Sequence, residues 1–337
     1  MKSSARALVT VAALATAGGG SLFGLLRWQA GRLRAAYDLD ARRRVPELAH
    51  LVDPHADHSV PLGDPKDTEH LPALAVLGDS WLAGLSVGRR RKTPAVLMAR
   101  GLSSLVRSPV RVRALAQPSA RAEDIGAQVD ALLADPRMRK GRSGTSAVRY
   151  AVLSMGSADI VHPFTGSIGL PVLTSALNRL EREGYRVFVL TCPNLGALPG
   201  VPRPLRTALR RSSRVLAGSQ WLTTVSCGHV PLSTNEAMSG TSRVGLVSRA
   251  GRYPSPLGYQ FLAAFLVRRF AEDLDLPLLT SRNVDAPRDD VDRNAAEASD
   301  AASTPETGQV PDSGPGSAAP APSTAQPRPP HQEHPTP

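Results

Sequence analysis

Between about residues 72 and 279, short uninterrupted apolar runs alternate with longer amphipathic stretches, and this alternation limits the fold more than any other feature. Ala73–Leu77, Val110–Leu115, Ala147–Ser154 and Arg186–Thr191 read as buried strands, with Trp221–Ser226 as a short fifth. Pro94–Val106, Ala122–Leu133, Gly169–Arg182, Pro204–Ala217 and Pro256–Leu274 read as helices. A strand that is apolar at successive residues is covered on both faces, as in a parallel sheet flanked by helices. The expected fold is α/β: a three-layer α/β/α sandwich around a flavodoxin-like, parallel five-stranded sheet. In such a sheet sites gather at the carboxyl ends of the strands. Aromatic residues are only 4% of the chain, so Ala, Val and Leu must fill the core.

The ends follow other rules. Lys2 and Arg6 precede a charge-free run from Ala7 to Leu26, whose 20 residues would be about 30 Å long as a helix. Residues 1–27 are therefore expected to be a transmembrane anchor or signal segment. Ala15-Thr16-Ala17 resembles a cleavage site, but Leu22, Phe23, Leu25 and Leu26 prolong the apolar run past it and favour a single-pass anchor. Arginines 27, 32, 34, 42, 43 and 44 follow the run, which by the positive-inside rule keeps the domain cytoplasmic. The fold analogy favours the outer side, so the side stays open. Residues 28–71 read as a juxtamembrane helix and polar linker carrying His50, His55, His58 and His70. From residue 281 to 337 the chain is Ala, Pro, Ser and acidic residues, a composition that cannot bury enough surface to offset chain entropy.

Charge separates in the same way. The whole chain carries +11, while 283–337 holds nine acidic and three basic residues, a net −6, leaving +17 on the rest. Such a body could favour a membrane surface or an anionic ligand. Nothing resembles a nucleic-acid motif, and neither paired-Cys nor His/Cys metal spacing occurs, so no nucleic acid, metal or cofactor is expected. Oligomeric state is not legible, and a monomer is the default.

The first apolar strand runs into Gly78-Asp79-Ser80-Trp81-Leu82-Ala83-Gly84. Gly78 permits a tight turn, and Asp79 can brace the loop through nearby backbone N–H groups. Ser80 then presents its hydroxyl at the default site of the sheet, with its own N–H available to a developing oxyanion.

GDSWLAGL at 78–85, TPAVLMARGL at 93–102, TCPNLGALPGVPRPLR at 191–206 and YPSPLGY at 253–259 together resemble the SGNH (GDSL-type) hydrolases, in particular actinobacterial members, over about residues 72–280. The resemblance implies serine ester hydrolysis with Ser80 as nucleophile. It puts the second oxyanion donor at Ser119 or Pro118, and Gly156 and Ala158 in the third block. It also implies where the chain departs from the family. Ala158 stands where an asparagine amide would hold the oxyanion, with Asp159 kept beside it as a loop brace. Tyr253 stands where the catalytic histidine would be, and Ala250 replaces the aspartate that would orient it. A phenol titrates near 10 and is a poor base at neutral pH. Ser157 offers a hydroxyl in place of the missing amide, and His162, three residues after Asp159, is the candidate substitute base. Three functions remain in competition: a ligand- or partner-binding protein with weak or no hydrolysis, an esterase with a rearranged base such as His162, and a membrane-tethered scaffold. The ligand would be a small acyl ester or an anion.

Overall fold

The computed structural model describes residues 2–54, 59–141, 147–162, 169–238 and 245–276, with side chains from residue 21 onward. Helix α1 (Lys2–Ala41) leads into strands β1 (Leu48–Val52) and β2 (Ser59–Pro61) and the short helix α2 (Pro65–Thr68). Strand β3 (Ala73–Gly78), the single turn α3 (Ser80–Ala83), α4 (Pro94–Val106) and β4 (Val110–Ala114) follow. Then come α5 (Ala122–Ala134), β5 (Arg149–Ser154), the turn α6 (Ser157–Val161), α7 (Leu170–Arg182) and β6 (Arg186–Leu190). The order closes with α8 (Leu205–Ser226), β7 (Val230–Leu232), the turn α9 (Thr234–Ala237) and α10 (Pro256–Asp273).

The sheet order is β2-β1-β4-β3-β5-β6-β7. Strands β3 to β7 pair in parallel, as expected, while β1 runs antiparallel to β4 and β2 antiparallel to β1. Every residue of β3 and of β5 is buried. Side chains alternate across a strand, and here they feed two cores. Leu74, Val76, Val112, Val152 and Phe188 meet α4 and α10 through Met98, Leu102, Leu266 and Phe270. Ala75, Leu77, Leu153 and Val189 meet α5 and α7 through Ile125, Val129, Leu173 and Leu177. Tyr150, Phe188 and Phe270 form an aromatic trio with centroids 4.9–5.0 Å apart, concentrating much of the chain's small aromatic content in one core.

Two expectations need correction. Trp221–Ser226 is the last turn and a half of α8, and the fifth parallel strand is Val230–Leu232. The β-branched run from 221 to 226 suggested a strand, but Leu209, Ser213, Leu216, Gln220 and Thr224 are buried at helical spacing, and that tertiary stripe decides the matter. Second, residues 48–61 are not linker: they add two antiparallel strands to the sheet edge. His50 lies on that edge, beside Arg90 at 2.9 Å. As for the expected span over 7–26, among the described residues no helix is long and apolar enough to cross a membrane. The side chains of residues 1–20, His55, His58 and the expected tail at 281–337 lie outside the described residues.

Candidate active site

Ser80 opens α3 just past the carboxyl end of β3, where the sequence placed it. The turn works because residue 78 is glycine. Its φ is +125°, and a Cβ there would sit 2.0 Å from the Ser154 carbonyl oxygen. The Gln128 side chain of α5 clamps the same residue: the Gly78 N–H donates to Gln128 Oε1 at 2.6 Å, and Gln128 Nε2 donates to the Gly78 carbonyl at 3.1 Å. Gln220 of α8 plays the matching part for the next two loops. It accepts from the Cys192 N–H at 2.7 Å and donates to the Met155 carbonyl at 3.0 Å.

Asp79 caps α3 and is fully buried. Its Oδ1 accepts from the Trp81 N–H and the Ser154 hydroxyl, both at 3.1 Å, and its Oδ2 accepts from the Ser157 hydroxyl. Burial pushes this carboxyl above the usual range, against the pull of those hydrogen bonds. Through these hydrogen bonds Asp79 ties the α3 turn to the end of β5 and the start of α6. The Ser157 hydroxyl donates to Asp79, so that hydrogen is not available to stand in for the amide that the resemblance puts at position 158. Asp159 is a second brace: its carboxylate accepts from the Ala122 N–H at 3.1 and 3.2 Å, at the start of α5, and burial raises it too.

The nucleophile position is itself closed. Ser80 is 3% exposed, and its Oγ accepts from the Ser119 N–H at 2.8 Å. Of the two candidates for the second donor, Ser119 and not Pro118 has an N–H at Ser80 Oγ, and it holds a left-handed φ of +55°. The Ser80 N–H is one of the first-turn donors that a helix leaves without an intrahelical partner, and so completes a pair of main-chain donors. Tyr259 of α10 fixes the turn from behind, its hydroxyl donating to the Ser80 carbonyl at 2.8 Å. Gly156 has φ +105° at the head of α6, and Ala158 is fully buried in an apolar cluster with Tyr37, Trp81, Leu195 and Leu205. No amide can act from that position.

Neither candidate base is hydrogen-bonded to Ser80 among the described residues. Tyr253 is buried, and Ala250 offers only its carbonyl, which accepts from Arg252 Nη1 at 3.1 Å. His162 points its Nε2 at Asp38 of α1, 3.4 Å away, at the edge of a recess that also includes Ser119. Burial and the nearby Arg121 and Arg34 lower its pKa against the pull of Asp38. His229 lies at the amino end of β7, the opposite edge of the sheet from Ser80.

The sequence reading missed what covers the site. Leu26, Ala30, Leu33 and Tyr37 of α1 pack into the cluster that holds Ala158 and Trp81. Tyr37 is 2% exposed, and burial together with the nearby Asp79 carboxylate and Cys192 thiol raises its phenol far above normal. Its carbonyl accepts from the Ser119 hydroxyl at 2.9 Å, while its own hydroxyl has no partner among the described residues. Gln29 accepts from the Leu205 N–H at 3.2 Å and donates to the Arg203 carbonyl at 2.9 Å. Asp40 and Arg252 form a largely buried ion pair at 2.7 Å, tying the helix to the loop that holds Ala250 and Tyr253. The signal was present in the 26/30/33/37 spacing, which is that of a helix packed on protein.

No family model matches the chain. A GDSL-like esterase of Mycobacterium tuberculosis is 30% identical over 212 residues, spanning 61% of this chain. The chain covers 65% of that relative's length. Among solved structures, a G-D-S-L family lipolytic protein from Veillonella parvula has a TM-score of 0.47 at 12% identity, covering 59% of this chain and 98% of that one. A lipase/acylhydrolase from Enterococcus faecalis has a TM-score of 0.45 at 17% identity, covering 60% and 97%. An acetylxylan esterase from Geobacillus stearothermophilus has a TM-score of 0.43 at 14% identity, covering 62% and 97%. A Gly-Asp-Ser turn at the carboxyl edge of a parallel sheet, its serine met by a main-chain N–H, and a 30% identical GDSL-like relative make this chain similar to the SGNH (GDSL-type) hydrolases.

Proposed function

We propose that this protein keeps the family's nucleophile and main-chain oxyanion donors but lacks a base for Ser80, so that it hydrolyses esters weakly or not at all and instead holds a small acyl ester, an anion or a partner at the site. One observation carries this reading: the hydrogen bond at Ser80 Oγ comes from the Ser119 N–H and not from an imidazole; a tyrosine, Tyr253, where the resemblance would put the histidine agrees with it. An alcohol without a base is a poor nucleophile, and losing the base of a serine triad costs about a million-fold in turnover. Losing one side-chain oxyanion donor, as Ala158 implies, adds roughly 3 kcal/mol to the barrier. The test is hydrolysis of short acyl esters by the full-length protein beside Ser80→Ala. Equal background rates are expected, and a large Ser80-dependent rate would refute the reading.

A specific observation keeps a second reading, an esterase with His162 as a rearranged base. His162 faces the Asp38 carboxylate at 3.4 Å, has its pKa lowered by burial, and sits by the recess that includes Ser119. Under that reading turnover is lost in both Ser80→Ala and His162→Ala. Under the first, neither substitution changes the rate.

A further inference from the structure

We propose that α1 is a lipid-sensing cover: its outer face docks on an anionic membrane surface, and docking draws its inner face off Ser80. Two opposed stripes on one helix carry the proposal. The inner stripe is Leu26, Ala30, Leu33 and Tyr37, packed in one cluster with Trp81, the residue after the nucleophile, while the Tyr37 carbonyl holds Ser119, whose N–H meets Ser80 Oγ. The outer stripe is Leu25, Trp28, Arg32, Ala35 and Leu39, offset by half a turn, with Leu25 43%, Trp28 57% and Leu39 60% exposed. Leu22 and Phe23 extend this apolar surface at the amino-terminal end. A large exposed apolar patch on a soluble body marks an interaction site. Here a tryptophan carries an arginine guanidinium 5.1 Å from its ring centroid, a pairing suited to the boundary between acyl chains and headgroups.

Charge selects the occupant. Residues 21–44 hold six arginines and two aspartates, and Asp40 is already neutralised by Arg252. A surplus of arginine beside exposed apolar side chains fits anionic headgroups over a neutral interface, each basic residue near such a surface contributing about 1 kcal/mol. The inner contacts are ones that a competing surface can displace. The Tyr37 hydroxyl is buried without a partner among the described residues, so part of the docked state is unfavourable. The remaining polar fasteners are local: Gln29 on the segment 203–205, Arg34 on the Val161 carbonyl, Asp38 beside His162, the Ser119 hydroxyl on the Tyr37 carbonyl, and the Asp40–Arg252 pair. The proposal concerns access to Ser80 and holds whether or not Ser80 hydrolyses anything.

The two free cysteines supply a reporter that needs no catalysis. Cys192 is buried beside Tyr37, whereas Cys227 is partly exposed. Full-length protein carrying Cys227→Ser is mixed with vesicles of phosphatidylglycerol and phosphatidylcholine, or of phosphatidylcholine alone. Binding is read by co-sedimentation, and opening by the rate at which a small maleimide modifies Cys192. The expected result is binding to the anionic vesicles with at least about a tenfold rise in Cys192 modification, reflecting a shift toward the open state, and neither effect with neutral vesicles. Leu25→Glu with Trp28→Glu should abolish both effects, and Arg27→Glu with Arg32→Glu should weaken binding at low salt. Asp40→Asn should raise the modification rate without any lipid. Binding that leaves Cys192 as slow as before would overturn the coupling. Absence of binding, or a double glutamate variant that responds like its parent, would overturn the docking face. A concentration-dependent dimer that this variant abolishes would assign the face to a second copy of the chain instead.

Discussion

Tyr37→Phe should stabilise this protein, although it removes a polar atom from the middle of the candidate site. The phenol ring is buried against Trp81 and Leu195, but its hydroxyl finds no partner among the described residues. Leaving a buried polar group unpaired costs about 1–3 kcal/mol, and removing only the oxygen retains the packing. A gain of about 1–2 kcal/mol is expected, equivalent to roughly 2–8 °C in melting temperature for a folded body of this size. Tyr37→Ala removes the ring as well and should cost about 3–5 kcal/mol, as large-to-small changes of aromatic residues do. The pair of variants separates the two contributions. Thermal and urea melts of full-length protein give both values, and Cys192 modification should speed up in Tyr37→Ala and not in Tyr37→Phe. A loss of stability above about 1 kcal/mol in Tyr37→Phe would refute the reasoning, since it would mean that the hydroxyl is satisfied, by Asp79 or by a buried water, and fastens the helix.

Further outcomes follow from the braces. Gly78→Ala should prevent folding or cost more than about 3 kcal/mol, because the new Cβ would lie 2.0 Å from the Ser154 carbonyl oxygen at a φ of +125°; soluble yield and melts check this. Asp79 has a carboxyl raised by burial, whereas its unfolded counterpart titrates near 3.9. Between those two values the folded state binds more protons, so the contribution of Asp79 to stability is full below about pH 3.9 and falls as pH rises through the higher folded value. Asp79→Asn should therefore be less pH-sensitive than wild type in melts taken from pH 4 upward. Arg252→Gln leaves Asp40 buried without its cation and should cost about 3–5 kcal/mol, whereas the Asp40→Asn/Arg252→Gln double variant should recover part of that loss in a double-mutant cycle.

The strands and the serine were legible because they follow local rules. The apolar runs at 73–77 and 149–154 leave no polar face, so only a covered parallel sheet suits them. Gly78-Asp79-Ser80 needs a glycine for its backbone and an acid for its cap, and both do that work in the folded chain. The edge strands at 48–61 were not legible, because histidine and proline within them read as linker, and their pairing with β4 is long-range. The 221–226 segment was misread because its β-branched composition agrees with a strand while its burial follows a helix. Tyr37 escaped notice because it sits 43 residues before Ser80, on a helix that its basic flank and apolar start made look like a membrane stem. The amide clamps at Gln128 and Gln220 are invisible from sequence for the same reason: they act across 50 and 65 residues, on backbone atoms that any residue supplies.

The central claim, that Ser80 is held by oxyanion donors but is not activated, is best tested where the cover cannot hide the serine. A fluorophosphonate probe applied to full-length Tyr37→Ala protein, read by intact mass, reports activation directly. The account predicts that Ser80 stays essentially unlabelled even when uncovered. Rapid one-to-one labelling that disappears in a Ser80→Ala background would contradict it and establish that some other group in the folded protein takes the proton.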